Sequence, residues 1–398
     1  MRKREPGEIN LFKRREGEKD QEEMVFEEEE KQEQIERERR EGKEYVRDIY
    51  DDLYERDFFP VNVLQGSNVI ELIGDRDIYG VESGRPFMVI EIAKTAGTMT
   101  EEEEESDERA IYKREIRDKP YDNLYQSIKK EAIIYHRILP KIYDNLPEDI
   151  KERVVFPRII DDIKEGDKTK AIILEKMDGY ICGNHDTTKK GVWNEKDIEA
   201  ICFLIKEFQE TDPEEIQNSG FELPYKDFLK SYQRRFNERS EPVRALMGEE
   251  YVSKVEGILH NIEEVISRQS PSVLSEDIFC FNTIKMSDGR NAFIDWERPY
   301  LGNDVSADYG KLISRLWTDP EMQQEAIRAA LRINQDNPDF KSLLRASLIF
   351  GEGGHMFRHY FHRLNSENLQ KREEAEEAVE VFRKLFEDIL DNKGAWEE

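Results

Sequence analysis

The stretch from Val273 to Leu312, VLSEDIFCFNTIKMSDGRNAFIDWERPYLGNDVSADYGKL, constrains this chain more than any other. Thr283–Met286 and Asn291–Ile294 read as short strands, and Ser287-Asp288-Gly289-Arg290 reads as the turn that joins them. A hairpin returns its second strand to where the first began. Asn282, just ahead of the first strand, and Asp295, just after the second, therefore finish at the same end. Asp277 precedes Asn282 in the pattern D-x-x-x-x-N and joins them there. Three oxygen-bearing side chains converge with no sulfur or imidazole among them, a donor set that suits the hard ion Mg²⁺.

Phosphoryl transfer from ATP asks for such a set. One Asp accepts the hydroxyl proton, while an Asn and a second Asp hold Mg²⁺ against the phosphates. The same chemistry needs a strand lysine paired to a helix glutamate. After residue 121, Leu124, Ile128, Tyr135 and Ile138 recur at helical spacing toward Pro140, and Glu131 falls on that apolar stripe. A carboxylate there is costly without a cationic partner. Lys113, in Ala-Ile-Tyr-Lys on the preceding strand, is the favoured partner, with Lys94 at the end of Val-Ile-Glu-Ile-Ala-Lys as the rival.

These residues resemble those of the aminoglycoside phosphotransferase and choline kinase superfamily, over about residues 60–365. The likeness is strongest at Asp277, Asn282 and Asp295, followed by Asp308 in Ala-Asp-Tyr-Gly. IKKEAIIYHRILPKI (128–142), ILEKMDGY (173–180) and Ile-Asp-Trp-Glu (294–297) look like the choline-kinase-like and ecdysteroid-kinase-like branch. The resemblance implies a protein-kinase-like fold and a small-molecule kinase using ATP and Mg²⁺. It implies a hinge at 174–177, with Glu175 and Met177 at the adenine, and an Asp308 that braces the catalytic loop. Two departures stand out. Relatives usually have His-Gly before the catalytic Asp, where this chain has Ser275-Glu276, so Ser275 offers a smaller loop support. Gln209 also stands where relatives often carry histidine. A phosphate-covering turn is sought at Gln65-Gly66-Ser67-Asn68.

The segments around the site predict an α+β, two-lobe chain. Val61–Leu64, Asn68–Ile73, Pro86–Ala93 and Ala110–Ile116 read as strands of a small antiparallel sheet, and the helix after residue 121 follows. A strand pair near Val154–Ile160 and Lys170–Glu175 completes five strands, and beyond Gly179 a mainly helical lobe is expected, broken by one hairpin. The domain boundaries are a charged extension over 1–50, a nucleotide-binding lobe over 51–177 and a catalytic and substrate lobe over 178–398. Residues 1–44 hold only eight Met, Ile, Leu, Phe or Val, and seven of the eight residues from Glu101 to Glu108 are acidic, so both segments read as solvated.

The 89 acids against 61 bases give a net charge of −28, which argues against a nucleic-acid partner. No apolar run approaches the ~18 residues of a membrane span. Cys182, Cys202 and Cys280 form no CxxC, so a reduced, cytoplasmic setting is expected. His355, His359 and His362 share a helical face, but Phe357, Tyr360 and Phe361 among them suggest packing rather than metal binding. The acceptor is expected to be a small hydroxylated molecule, and the acidic balance would favour a cationic one. A pseudokinase or nucleotide-binding interaction module is the alternative, favoured by Ser275-Glu276 and opposed by the Asp/Asn/Asp set. No D-F-G or A-P-E supports a protein kinase.

Overall fold

Runs of β-branched and aromatic residues set the strands of the first part of the chain. The structure, a computed structural model, describes residues 49, 51–56, 58–65, 87–94, 109–115, 128–166, 168–184, 186–217, 223–276, 278–296 and 298–397. The chain divides into two units. One runs to Tyr112; the other takes Lys113–Glu115 and the described residues from Ile128 onward.

In the first unit, β1 (Phe58–Gln65) and β2 (Phe87–Lys94) pair antiparallel, with Phe58 opposite Lys94 and Gln65 opposite Val89. β3 (Arg109–Glu115) lies next to β2, and its last three residues belong to the second unit. Ile90, Ile92, Ala110 and Tyr112 are buried, and Leu53 joins them from a helical turn over 51–54. The Tyr112 hydroxyl donates to Asp52 Oδ2 at 3.1 Å, and Arg109 pairs with Glu91 at 2.9 Å, so buried polar groups find partners. The expected strand over 68–73, the turn residues 66–68, the acidic run and the extension over 1–44 lie outside the described residues.

In the second unit the helix carrying Glu131, Ile128–Ile133, does not end at Pro140 as expected. It passes through a π segment, Ile134–Ile138, into a further helix, Leu139–Asn145. Pro140 sits in the first turn of that helix, where a missing N–H costs no helical bond. The anticipated strand over 154–160 also divides. Pro157 has no N–H to offer a ladder, and the two halves join different sheets. β4 (Val154–Val155) runs parallel to β11 (Asn291–Phe293), while β5 (Ile159–Glu165) pairs antiparallel with β6 (Lys168–Glu175).

Beyond Gly179 there is more β structure than the sequence suggested. β7 (Gly179–Ile181) adds to β10 (Thr283–Met286), giving a sheet ordered β4-β11-β10-β7. β8 (Tyr225–Lys226), β9 (Ser272–Leu274) and β12 (Tyr300–Gly302) form another, ordered β8-β12-β9. Runs of two or three residues are too short to show an alternating pattern.

The helices are built as their sequences dictate. Glu195–Gln209 starts at a capping box between Asn194 and Asp197 and buries Ile198, Ile201, Ile205 and Phe208. Phe340–Phe350 is apolar nearly all round and packs among Glu249–Arg268, Ala307–Arg315 and Glu352–Arg363. Gly310 lets helix Ala307–Arg315 approach closely: a Cβ there would lie 2.2 Å from Ser347 Oγ. Among the described residues no helix is long and apolar enough to cross a membrane. The described chain is α+β, with antiparallel strands first and a mainly helical remainder.

Candidate active site

The hairpin brings Asn282 and Asp295 together. Thr283 pairs with Phe293 and Lys285 with Asn291, and the Ile294 N–H donates to the Asn282 carbonyl at 2.9 Å. Asn282 is buried, and the Asp295 side chain is 29% exposed. Asp295 turns out of the strand with a left-handed φ of 68°. For a residue with a Cβ that conformation costs ~1–2 kcal/mol. Trp296 holds the turn in place: it is buried, stacks on Phe208 with centroids 5.3 Å apart, and donates Nε1–H to the Phe293 carbonyl at 3.1 Å.

Lys113 reaches both this hairpin and the helix. Its Nζ lies 2.7 Å from Glu131 Oε2, in a pair whose side chains are 6% and 1% exposed, and it also donates to Asp295 Oδ1. Burial pushes the Glu131 carboxyl up; Lys113 pulls it down and Asp295 adds to the rise. Lys94, by contrast, is exposed at the end of β2. The apolar stripe thus located a carboxylate with a lysine partner, and of the two candidate lysines Lys113 makes the contact.

Asp277 lies outside the described residues, and the loop leading to it is held by Asp308. Asp308, at the start of helix Ala307–Arg315, is buried. Its Oδ2 accepts the Ser275 N–H at 3.0 Å and its Oδ1 the Glu276 N–H at 3.1 Å. Burial raises the Asp308 pKa, against the pull of these two bonds. Ser275 is buried, and Glu276 takes a left-handed φ of 58°. The loop is therefore held through its backbone, whichever side chain stands at 275. Asp304, also fully buried, accepts the Ser306 N–H and Oγ–H at 2.8 and 2.6 Å and the Tyr232 hydroxyl. Burial pushes its carboxyl up to about 6. Gln209 donates Nε2–H to the Val305 carbonyl at 2.8 Å and fixes the same turn from the neighbouring helix.

No known family model matches the chain, and neither does any curated protein. Among solved structures it is similar to an aminoglycoside 2'-phosphotransferase-IIIa in complex with GDP, at 12% identity over 86% of this chain and 99% of that one, with a TM-score of 0.45. It is also similar to a macrolide 2'-phosphotransferase from Brachybacterium faecium, at 12% identity over 83% and 97% of the chains, with a TM-score of 0.46. An ethanolamine kinase from Plasmodium vivax is similar at 14% identity over 77% and 82%, with a TM-score of 0.38.

Other features were not foreseen. Asp197, fully buried at the capping box, accepts from Lys285 at 2.9 Å, Asn291 at 2.9 Å, Arg153 at 3.4 Å and the Asn194 N–H at 3.0 Å. It ties both strands of the hairpin to helix Glu195–Gln209. The Asn-x-x-Asp pattern signals a helix start, but nothing in the sequence says that the same carboxylate also receives a lysine from residue 285. At the end of β6, Glu175 accepts from Arg158 Nε at 3.1 Å and its own N–H donates to the Arg158 carbonyl, while Met177 is buried. His355 and His359 stack with centroids 6.4 Å apart, and among the described residues no group of three His, Cys, Asp or Glu is placed to hold a metal.

Proposed function

We propose that this chain is an ATP-dependent, Mg²⁺-dependent phosphotransferase that acts on a hydroxyl of a small molecule. The observation that carries the reading is Lys113, which bridges a buried helix carboxylate, Glu131, and the carboxylate that closes the hairpin, Asp295. A lysine so placed is oriented for phosphate oxygens and cannot swing away without stranding Glu131.

Asn282 and Asp295 would hold Mg²⁺. Both offer hard oxygen atoms, and so few protein ligands fit an ion that keeps waters and takes the rest of its shell from phosphate. The ion would supply neutralisation of charge on the phosphates. Glu175 and Met177 would meet the adenine with their backbone, and residues 51–177 would serve as the nucleotide-binding lobe. Asp277 is the base: its carboxylate takes the proton from the acceptor hydroxyl as that oxygen bonds to the γ-phosphorus and the bond from phosphorus to ADP breaks. Ser275 and Asp308 keep the loop in shape. The chain's charge of −28 draws cations at long range, but which acceptor is held depends on the charge beside the loop.

The pseudokinase reading rests on Ser275-Glu276. It is the weaker one, because Asp308 grips the loop by two backbone N–H groups and does not need a histidine side chain. ATP consumption screened against hydroxylated metabolites, with Asp277→Asn as control, separates the two. Metabolite-dependent consumption that is lost in the control is the expected result. A wild type that binds MgATP yet transfers to nothing would favour the pseudokinase.

A further inference from the structure

Two lysines from other parts of the chain converge on the loop before Asp277. Lys226 lies 3.9 Å from the Glu276 carboxylate and packs over the rings of Phe228 and Tyr300, at 5.1 and 5.0 Å. Lys311 donates Nζ–H to the Glu276 carbonyl at 2.5 Å and sits 4.0 Å over the ring of Phe279. Burial pushes the Glu276 carboxyl up, but Lys226, Lys311 and Arg298 outweigh it and hold it below its usual range. The other carboxylates nearby are engaged: both Asp308 oxygens accept backbone N–H groups, and Glu352 pairs with Arg315 at 2.6 Å. Each ammonium has three donors, and an aromatic face fixes a lysine without cancelling its charge. In a chain of net charge −28, Lys226 and Lys311 thus bring two ammonium groups to Glu276, one at its carboxylate and one at its carbonyl.

Glu276 itself needs a reason. Its φ of 58° is one that glycine adopts without strain. A half-exposed contact to a lysine at 3.9 Å adds at most about 1 kcal/mol, no more than the ~1–2 kcal/mol that the left-handed backbone costs a residue with a Cβ. Strain next to a proposed base points to function.

We infer that Lys226, Lys311 and Glu276 form the acceptor subsite, and that the acceptor carries an anionic group, a carboxylate or a phosphate ester, beside the hydroxyl that receives the phosphoryl group. Glu276 spaces the two ammonium groups, and their remaining donors take the anion. This rests on the phosphotransferase reading.

The test is calorimetry on the full chain with MgADP bound, using glycerate and glucose 6-phosphate, their neutral parents glycerol and glucose, and the amines ethanolamine and glucosamine. At least one anionic member should bind about tenfold or more tightly than its neutral parent. That preference should collapse in Lys226→Gln and Lys311→Gln and survive in part in Lys226→Arg. The better of glycerate and glucose 6-phosphate identifies the anion as carboxylate or phosphate. The inference falls if MgADP binds but no anion beats its parent, if the amines bind best, or if the lysine variants keep the preference. A wild type that fails to bind MgADP would bring down the phosphotransferase reading itself, a separate outcome in the same experiment.

Discussion

Replacing Asp308 with Ala should unmake the loop before Asp277. Asp308 is 3% exposed, and each of its oxygens accepts one backbone N–H, from Ser275 and from Glu276. A hydrogen bond to a charged group contributes ~1.5–3 kcal/mol, and a buried N–H left without an acceptor costs ~1–3 kcal/mol. Against this, removing the carboxylate also removes the desolvation that raises its pKa. The net loss should be about 3 kcal/mol. For the larger of the two units that is a fall in melting temperature of about 5 °C. Asp308→Asn keeps one acceptor but turns an amide NH₂ toward the other N–H, so it should lose about half as much. Thermal unfolding of the three proteins followed by circular dichroism reads the effect, and turnover with MgATP should fall further than MgATP affinity. A fall of under about 2 °C for Asp308→Ala, or equal losses for Ala and Asn, would refute the reasoning that two backbone bonds hold the loop.

Asp295→Ala should abolish the Mg²⁺ dependence of ATP binding, read by calorimetry with and without the ion; an unchanged metal dependence would sink the site. Lys113→Ala should weaken MgATP binding and cost ~3–5 kcal/mol in urea denaturation, because Glu131 is left buried without its cation; a loss below ~1 kcal/mol would mean that the pair is not buried in solution. Asp304 sets a pH dependence. Its carboxyl rises from 3.8 to about 6 on folding, so the fold favours the protonated form. That contribution is fully present below pH 3.8 and is lost as pH rises through about 6, a swing of about 3 kcal/mol. The stability of wild type relative to Asp304→Asn should fall by about 2.4 kcal/mol of this between pH 4 and pH 7, and a flat difference would count against the burial of this carboxylate.

Much of the site's geometry was legible because it follows from local rules. A four-residue turn containing Gly289 forces a hairpin, and a hairpin forces Asn282 and Asp295 to one end. Glu131 on an apolar stripe demanded a cation, and Lys113 is there. What stayed hidden depends on tertiary packing. The π segment at Ile134–Ile138 leaves no mark in a hydrophobic period, so Pro140 looked like a helix end. Strands as short as Tyr225–Lys226 and Tyr300–Gly302 exist only because β12 lies between two partners. Asp197 closes a capping box, and its bonds to Lys285 and Asn291 join residues some ninety positions apart.

Backbone strain gives a further reason to place the chemistry where the hairpin and the loop meet. Among the described residues, Glu276, Asp295 and Asn392 are the non-glycine residues with positive φ. Asn392 ends helix Leu369–Asp391 in a left-handed cap, a position where asparagine is common. Glu276 and Asp295 end no helix, although aspartate, like asparagine, enters this region more readily than glutamate does. One precedes the proposed base and the other is a proposed metal ligand, and each is held by neighbours that fix it: Asp308 and Lys311 at Glu276, the Ile294 bond and buried Trp296 at Asp295. A fold selected for stability alone would relax both turns with glycine, at a gain of up to ~1–2 kcal/mol each. Two carboxylates kept in strained turns, with a buried lysine reaching one of them, are what a site organised around phosphate and metal would require and what a merely structural loop would not.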